Sequence, residues 1–137
     1  MSGLMVCAVV LVAAGAFGLM RRRSEGRLKV RGRDGERRLG AADLGERLGE
    51  RATLVQFSSA FCQPCRATRR TLTEVAGMVG GVAHVEIDAE ERLELVRELN
   101  ILRTPTVLVL DSAGRIVRRA SGQPRRADVI AALGEAV

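Results

Sequence analysis

The chain has 137 residues, enough for one domain of ordinary size with a short extension, which excludes a multidomain enzyme. It contains three Phe and no Trp or Tyr, so its core must be built from aliphatic side chains. The net charge of +6 first suggests a nucleic-acid or membrane partner, but residues 21–38 hold nine basic and three acidic groups and so carry all of it.

The rest of the chain after this segment, residues 39–137, carries no net charge. A neutral domain with almost no aromatic rings lacks both the phosphate-neutralising face and the stacking surface that nucleic-acid binding requires. We therefore expect no nucleic-acid partner.

The N-terminus carries an uncharged stretch of 19 residues, 2–20, followed at once by Arg21-Arg22-Arg23. A helix of this length can cross a hydrocarbon core of about 30 Å. The alternative is a cleaved signal peptide, because Ala14-Gly15-Ala16 resembles a cleavage site, but signal peptides carry their positive charge before the apolar segment. The pattern therefore favours a retained single-pass transmembrane anchor at 2–20.

The arginine cluster also predicts an orientation. Positive flanks stay in the cytoplasm, so we expect residues 21–137 on the cytoplasmic face of the cell membrane, with the extracytoplasmic side as the alternative. Residues 21–38 are rich in Gly, Arg and Glu and have no apolar period, which predicts a basic juxtamembrane linker. This linker either lies against anionic headgroups or is solvated, and Leu28 and Val30 allow a short strand within it.

The globular domain is expected at 39–137. Leu44 and Leu48 predict a short helix that ends at Gly49, and the apolar run 53–57 predicts a strand. The elements predicted after them are a helix at 64–79, a strand at 82–88, a helix with Leu93, Val96 and Leu99 on one face, strands at 106–110 and 115–120, and a helix with Val129, Ile130 and Leu133 on one face.

The order of these elements within the domain is β-α-β-α-β-β-α after the first short helix. Helices between the early strands and a hairpin late in the chain predict an α/β fold, a mixed sheet covered by helices on both faces. The arginines of the last strand suit an edge strand of that sheet.

Three cysteines are present. Cys7 lies in the apolar stretch, where we expect it to act as a small hydrophobe. The other two form Cys62-Gln63-Pro64-Cys65. A structural disulfide across so short a loop would stabilise the fold little, and a zinc site within the chain would lack ligands, since only His84 is available besides the pair.

A redox role explains this spacing better. The pair follows a predicted strand and opens a predicted helix, so Cys62 lies at a helix N-terminus, where free N–H groups and the helix dipole favour the thiolate. Pro64 suits the first turn of that helix. We expect Cys62 to attack substrate disulfides and Cys65 to resolve the mixed disulfide that results.

Three sets of residues make the chain similar to the thioredoxin family. They are Val55-Gln56-Phe57 with Phe61-Cys62-Gln63-Pro64-Cys65, Thr104-Pro105-Thr106 before an apolar strand, and Gly122 before the last helix. The resemblance covers residues 39–137. It implies a thioredoxin-like three-layer α/β/α fold with a mixed central sheet, which the predicted N-terminal transmembrane helix precedes.

The resemblance also implies roles for individual residues. Pro105 matches the family's cis-proline, whose loop packs beside the active-site disulfide and offers backbone groups to an extended substrate segment, and Thr104 matches a position that tunes redox behaviour. The substrate-binding residues that we expect are Phe61, Gln63, Pro64, Thr104 and Pro105. We expect no metal, and no cofactor besides the redox-active disulfide of the two catalytic residues, Cys62 and Cys65.

Three positions depart from the family pattern. Phe61 replaces the usual tryptophan and Gln63 replaces a glycine, so the family's redox poise does not transfer to this chain. Gln56 stands where similar thioredoxins carry a buried acid that helps to move the proton of the resolving cysteine, and an amide cannot take that proton. The alternative is that Gln56 is only a buried, hydrogen-bonded polar group. His84 lies on the polar side of its strand, and we assign it no role.

Together these features predict a monomeric, membrane-anchored thiol-disulfide oxidoreductase that reduces or exchanges protein disulfides. Its expected partners are disulfide-containing protein substrates, an upstream dithiol reductant and the membrane. One alternative is thiol exchange outside the membrane, in exported proteins or in cytochrome maturation. Two others are a redox sensor without turnover and a binder of a soft metal such as copper(I).

Overall fold

The computed structural model describes residues 1–30 and 34–137, so Arg31 and Arg33 of the basic segment lie outside the described residues. A single turn of 3-10 helix, Asp34–Glu36, precedes the domain. The helices and strands are α1 (Ser2–Ser24), α2 (Ala41–Leu44), β1 (Ala52–Ser58), α3 (Gln63–Met78), β2 (Val82–Asp88), α4 (Leu93–Glu98), β3 (Thr106–Asp111), β4 (Ile116–Ser121) and α5 (Arg126–Ala136).

The four strands form one mixed sheet in the order β2-β1-β3-β4. β1 and β2 run parallel, and α3 forms the crossover connection that parallel neighbours require, while β3 is antiparallel to both β1 and β4. The predicted α/β fold with a mixed sheet is confirmed, and the bounds predicted for α3, β2, β3 and β4 agree with the structure to within one residue.

Helices cover both faces of the sheet because successive side chains of a strand point to opposite faces. Leu54 and Val109 face a cluster that contains Leu72 of α3 and Leu133 of α5. The alternate strand positions face a second cluster, built from Val55, Phe57, Leu108 and Leu110 with Leu44, Leu95 and Leu99. The result is the three-layer α/β/α arrangement.

The first helix of the domain is shorter than the sequence predicts. α2 ends at Leu44, because Gly45 adopts a left-handed φ of 75° and its N–H caps the carbonyl of Ala41. Leu48, predicted to lie on this helix, instead follows it in the loop and packs from there against the core.

Two predicted helix faces are also wrong in part. In α4 the buried side chain is Leu95, and Leu93 is 52% exposed, because a helix of six residues is too short for its period to select one face from sequence. In α5 Ile130 is 41% exposed, while the small side chains of Ala132 and Ala136 turn toward the sheet.

On both sides of residues 31–33, the segment predicted as a linker contacts the outer edge of the sheet. Lys29 forms an antiparallel bridge with Arg119, and Arg38 forms one with Arg115. The prediction that β4 is an edge strand is confirmed. Its Arg119 is nevertheless buried, and it is paired with Asp34 through two hydrogen bonds of 2.9 Å. An edge strand can bury an arginine when a covering segment supplies the carboxylate.

At the N-terminus, α1 extends through the three arginines to Ser24, and all of its residues are exposed to solvent in the isolated chain. Its basic last turn suits the negative end of the helix dipole. Within the described residues it is the one helix whose length and composition would allow it to span a membrane, a test that a signal sequence also passes.

Candidate active site

The cysteine pair lies where β1 gives way to α3. Cys62 is the N-cap of α3, and the backbone N–H of Cys65 donates to its sulfur over 3.2 Å. The two Cα atoms are 5.2 Å apart and the sulfurs form a disulfide. Pro64 occupies the first helical turn, where no N–H is required of it. Once reduced, the Cys62 thiolate would be stabilised by the helix terminus.

The two sulfur atoms differ in access. Cys62 is partly exposed, whereas Cys65 is buried at 2% exposure. An incoming disulfide therefore meets Cys62 first, and Cys65 is placed to attack Cys62 from within the fold. This asymmetry agrees with the roles that the sequence predicts for the two residues.

Next to the pair, the predicted substrate-binding residues Phe61, Gln63 and Pro64 are all exposed. Phe61, immediately before Cys62, adopts a left-handed backbone with a φ of 58°, and the residue is 98% exposed. The structure thus presents a large apolar side chain beside the accessible sulfur.

The loop that carries Thr104 and Pro105 meets the cysteine loop because β1 and β3 are antiparallel. Phe57 near the end of β1 pairs with Thr106 at the start of β3, so the segments beyond them lie at the same edge of the sheet. The hydroxyls of Ser59 and Thr104 are hydrogen-bonded over 2.7 Å across the two loops. The Thr104–Pro105 peptide bond is cis. Ser59 was not among the predicted site residues.

Beneath the pair lies Gln56, which is fully buried. Its amide nitrogen donates to the carbonyl oxygen of Cys65 over 2.7 Å and to the hydroxyl of Ser58 over 2.9 Å. Both amide protons are therefore used, and the side chain fixes the backbone of the resolving cysteine. The site contains no carboxylate at this position.

Comparison with known proteins decides the family. The thioredoxin family model matches residues 42–135, more than half of the chain. The chain belongs to the thioredoxin family. A rice protein named thioredoxin H2-1 is 30% identical over 67 residues, which are 47% of this chain and 49% of that protein. A thioredoxin from Mycolicibacterium smegmatis is 28% identical over 87 residues, 61% of this chain and 77% of its own.

Solved structures agree with this assignment. A crystal structure of chloroplastic thioredoxin z is 26% identical, covers 80% of this chain and 92% of its own, and superposes with a TM-score of 0.57. The chain spans about half or less of the length of the first curated relatives that it matches.

One contact in this member of the family was missed at the level of sequence. The Nε2 atom of His84 lies 3.3 Å from the amide oxygen of Gln56, and its Nδ1 atom lies 3.4 Å from the hydroxyl of Thr73. Because an amide oxygen can only accept, His84 carries its proton on Nε2 and accepts from Thr73 at Nδ1. No sequence signal pointed to this contact, since it depends on how β1 and β2 are aligned.

The protonation of His84 follows from its surroundings. Burial lowers the pKa of His84 below its ordinary value, because the charged imidazolium loses solvation, and this outweighs the attraction of Glu86. The neutral ring is therefore favoured at neutral pH, in the tautomer that Gln56 requires.

Within residues 1–30 and 34–137, no group of three or more His, Cys, Asp or Glu side chains is placed to hold a metal ion. The chemistry that the site itself offers is the reversible joining of two sulfur atoms, one accessible and one buried.

Proposed function

We propose that this thioredoxin-family protein is a membrane-anchored thiol-disulfide oxidoreductase that reduces disulfides in proteins. The observation that carries the proposal is the Cys62–Cys65 disulfide at the N-terminus of α3, with only Cys62 accessible. Phe61, Gln63 and Pro64 surround it, and the Thr104–Pro105 loop supplies the backbone groups for an extended substrate segment.

The reaction begins with the reduced protein. The Cys62 thiolate attacks one sulfur of a substrate disulfide, the substrate S–S bond breaks, and the sulfur that leaves takes up a proton. Cys65 then loses its proton and attacks Cys62, which releases the second substrate sulfur as a thiol and leaves the Cys62–Cys65 disulfide. In total two electrons and two protons pass to the substrate.

The oxidised protein returns to the dithiol by the same exchange with an external dithiol reductant, and we propose that it needs no other cofactor. We further propose that the chain acts as a monomer, since both sulfurs and both loops of the site come from one copy. Light scattering of the purified protein in detergent tests this, with a mass of one chain per detergent micelle as the expected result.

The proposed anchor is residues 2–20, within α1, and the proposed catalytic domain is 39–137. The three arginines at the end of α1 support a domain on the cytoplasmic side of the membrane. The cytoplasm is also the compartment where reduction of disulfides is favoured. In cells that express the full chain, we expect a membrane-impermeant maleimide to label reduced Cys62 only after lysis. Labelling of intact cells would place the domain outside.

The activity is tested with the full chain in detergent, by reduction of insulin disulfides with dithiothreitol as the donor. We expect Cys62→Ser to abolish turnover and Cys65→Ser to accumulate a mixed disulfide with the substrate. Cys7→Ser is the matched control, because it removes a thiol outside the site, and it should retain full activity. A wild-type protein no faster than Cys62→Ser would refute the proposal.

A further inference from the structure

The junction between α1 and the domain is seated on the domain surface. Immediately after the helix ends, Glu25 forms an ion pair with Arg103 over 3.1 Å, and the N–H of Gly26 donates to the carbonyl of Ser121 over 2.9 Å. Gly26 has a φ of 72°, and a Cβ atom there would lie 2.1 Å from the backbone oxygen of Gln123. The chain between α1 and the domain is therefore held by contacts with the domain, with almost no free residues.

This junction lies at the same end of the sheet as the active site. Ser121 pairs with Thr106, the first residue of β3, and the N–H of Gly122 donates to the carbonyl of Pro105 over 2.8 Å. Arg103, the partner of Glu25, lies two residues before Pro105. The end of α1 is thus linked directly to the loop that faces the cysteine pair.

The chain then runs away from the active site. Lys29 pairs in antiparallel fashion with Arg119, and Arg38 pairs with Arg115 at the opposite end of β4. The polypeptide therefore leaves α1 at the active-site end of the domain and reaches the far end only afterwards.

The distance from the bilayer to the active-site end of the domain is short. Only residues 21–24 separate the apolar stretch from Glu25, which is about 6 Å of helix. The headgroup layer of one leaflet is roughly 5–8 Å thick. Glu25 therefore follows the end of the helix near the outer limit of the headgroups. The cysteine pair lies about three strand spacings from Glu25 across the sheet, roughly 15 Å.

From this path we propose that the active-site end of the domain faces the bilayer surface and that the substrates are disulfides held at that surface. Such disulfides lie in the membrane-proximal segments of membrane-embedded or lipid-attached proteins. The disulfides of large soluble proteins are excluded by the bilayer itself. This inference rests on the anchoring and on the exchange reaction proposed above.

The composition of this end suits the membrane interface. Phe61 and Leu102 are 98% and 82% exposed. Exposed arginines accompany them on the β3–β4 side of this end, namely Arg27, Arg103 and Arg125, while the exposed carboxylates Asp88, Glu90 and Glu91 lie on its other side, at the end of β2. Exposed apolar side chains together with basic ones favour the headgroup region, where each basic group near an anionic surface contributes about 1 kcal/mol.

The test uses the full chain in vesicles of phosphatidylcholine and phosphatidylglycerol. One substrate is a disulfide peptide attached to a large soluble carrier protein, and the other is the same peptide attached to a lipid headgroup. The test variant carries a Gly/Ser insertion of about twenty residues between Ser24 and Glu25, which gives the domain a reach of roughly 25 Å. The matched control carries the same insertion before Ser2, beyond the far side of the membrane.

We expect the insertion after Ser24 to speed reduction of the carrier-bound disulfide about tenfold and to change the rate on the lipid-attached disulfide little. The control insertion should behave as the wild type. Equal rates on the carrier-bound disulfide with and without the insertion would overturn the inference.

A second readout does not depend on turnover. In a Cys7→Ser background, reduced Cys62 in vesicles is treated with a small maleimide and with a maleimide that carries a polyethylene glycol chain larger than the domain. We expect the wild type to react fast with the small reagent and slowly with the large one, and the variant with the insertion after Ser24 to react with both. Equal labelling of the wild type by both reagents refutes the inference even if turnover is normal.

The two proposals can fail separately. If no variant reduces any disulfide in detergent, the proposed function fails, while the labelling ratio still decides where the active site faces. If alkaline carbonate extracts the wild-type chain from the vesicles, the anchoring fails and this inference fails with it.

Discussion

At the scale of single residues, Gln56 stands where the resemblance to thioredoxins implies a buried acid. Its amide holds the carbonyl of Cys65 and accepts from His84, so every polar atom of the side chain has a partner. The alternative interpretation, that Gln56 is a buried and hydrogen-bonded polar group, agrees with this geometry. The same geometry leaves the thiol of Cys65 without a neighbouring carboxylate to receive its proton at this position.

Substitution of Gln56 by aspartate should therefore speed the attack of Cys65 on the mixed disulfide about tenfold near pH 7, because a general base is introduced. Stopped-flow absorbance can follow this step as the second phase of thionitrobenzoate release from an aromatic disulfide reagent. Gln56→Asn is the matched control, since it shortens the side chain equally without a charge. Equal second-phase rates for the two variants would contradict a proton-transfer role at this position.

His84 predicts a pH dependence of stability. Its folded-state pKa lies below the unfolded value of about 6.5, so the unfolded chain binds a proton more readily than the folded one. The stability that the neutral ring contributes is therefore complete above pH 6.5 and is lost as the pH falls through the folded-state pKa. Thermal unfolding should show a larger loss of Tm from pH 7 to pH 5 in the wild type than in His84→Gln. An equal loss of Tm in both proteins would contradict a contribution of His84 to the pH dependence of stability.

At the scale of elements, the segment that follows α1 behaves as an added edge of the sheet. Its main anchor is the buried pair of Asp34 and Arg119, whose guanidinium also donates to the carbonyl of Leu99 over 2.6 Å. If one partner of a buried pair is removed, the charge of the other remains buried and unpaired, which lowers the stability of the fold. The segment therefore contributes to the stability of the domain as well as connecting it to α1.

We expect Asp34→Asn to lower the free energy of unfolding by about 3 kcal/mol, as measured by urea denaturation of the detergent-solubilised chain. Glu98→Gln is the control, because it breaks the exposed ion pair with Arg37 and should cost less than about 1 kcal/mol. Similar costs for the two substitutions would show that the burial of Asp34 and Arg119 has little energetic weight.

At the scale of the whole molecule, an apolar helix and a redox domain are joined with almost no free chain between them. The charge distribution follows this division, since the basic surplus lies in the segment 21–38 and the domain itself is neutral. The proposed anchor, its arginines and the active-site end of the sheet therefore belong to one region of the molecule.

Cys7 offers a direct check of the anchor. It lies inside α1 and is exposed in the isolated chain, so only a surrounding bilayer would hide it. With Cys62 and Cys65 in their disulfide, we expect a water-soluble maleimide to leave the protein in vesicles unlabelled and to add one label after dissolution in sodium dodecyl sulfate. Rapid labelling of intact vesicles would count against a spanning helix.

Local patterns in the sequence were enough to predict the class of the fold, the order of its strands and helices along the chain, and the strand-turn-helix context of the cysteine pair. Hydrophobic period, helix-stop glycines and the position of Pro64 are properties of neighbouring residues, and they act wherever the segment lies. The resemblance to thioredoxins rested on short motifs of the same kind, and the family is confirmed.

Contacts between distant residues were decided only by the tertiary structure. His84 meets Gln56 because of the register between β1 and β2, and Asp34 covers Arg119 across 85 positions of sequence. Neither pairing has a local signal, because the energy of each depends on burial that the rest of the fold creates. The same holds for the contact between the end of α1 and the loop that carries Pro105. Composition predicts only a linker after α1, and the path of the chain shows which part of the domain this segment contacts.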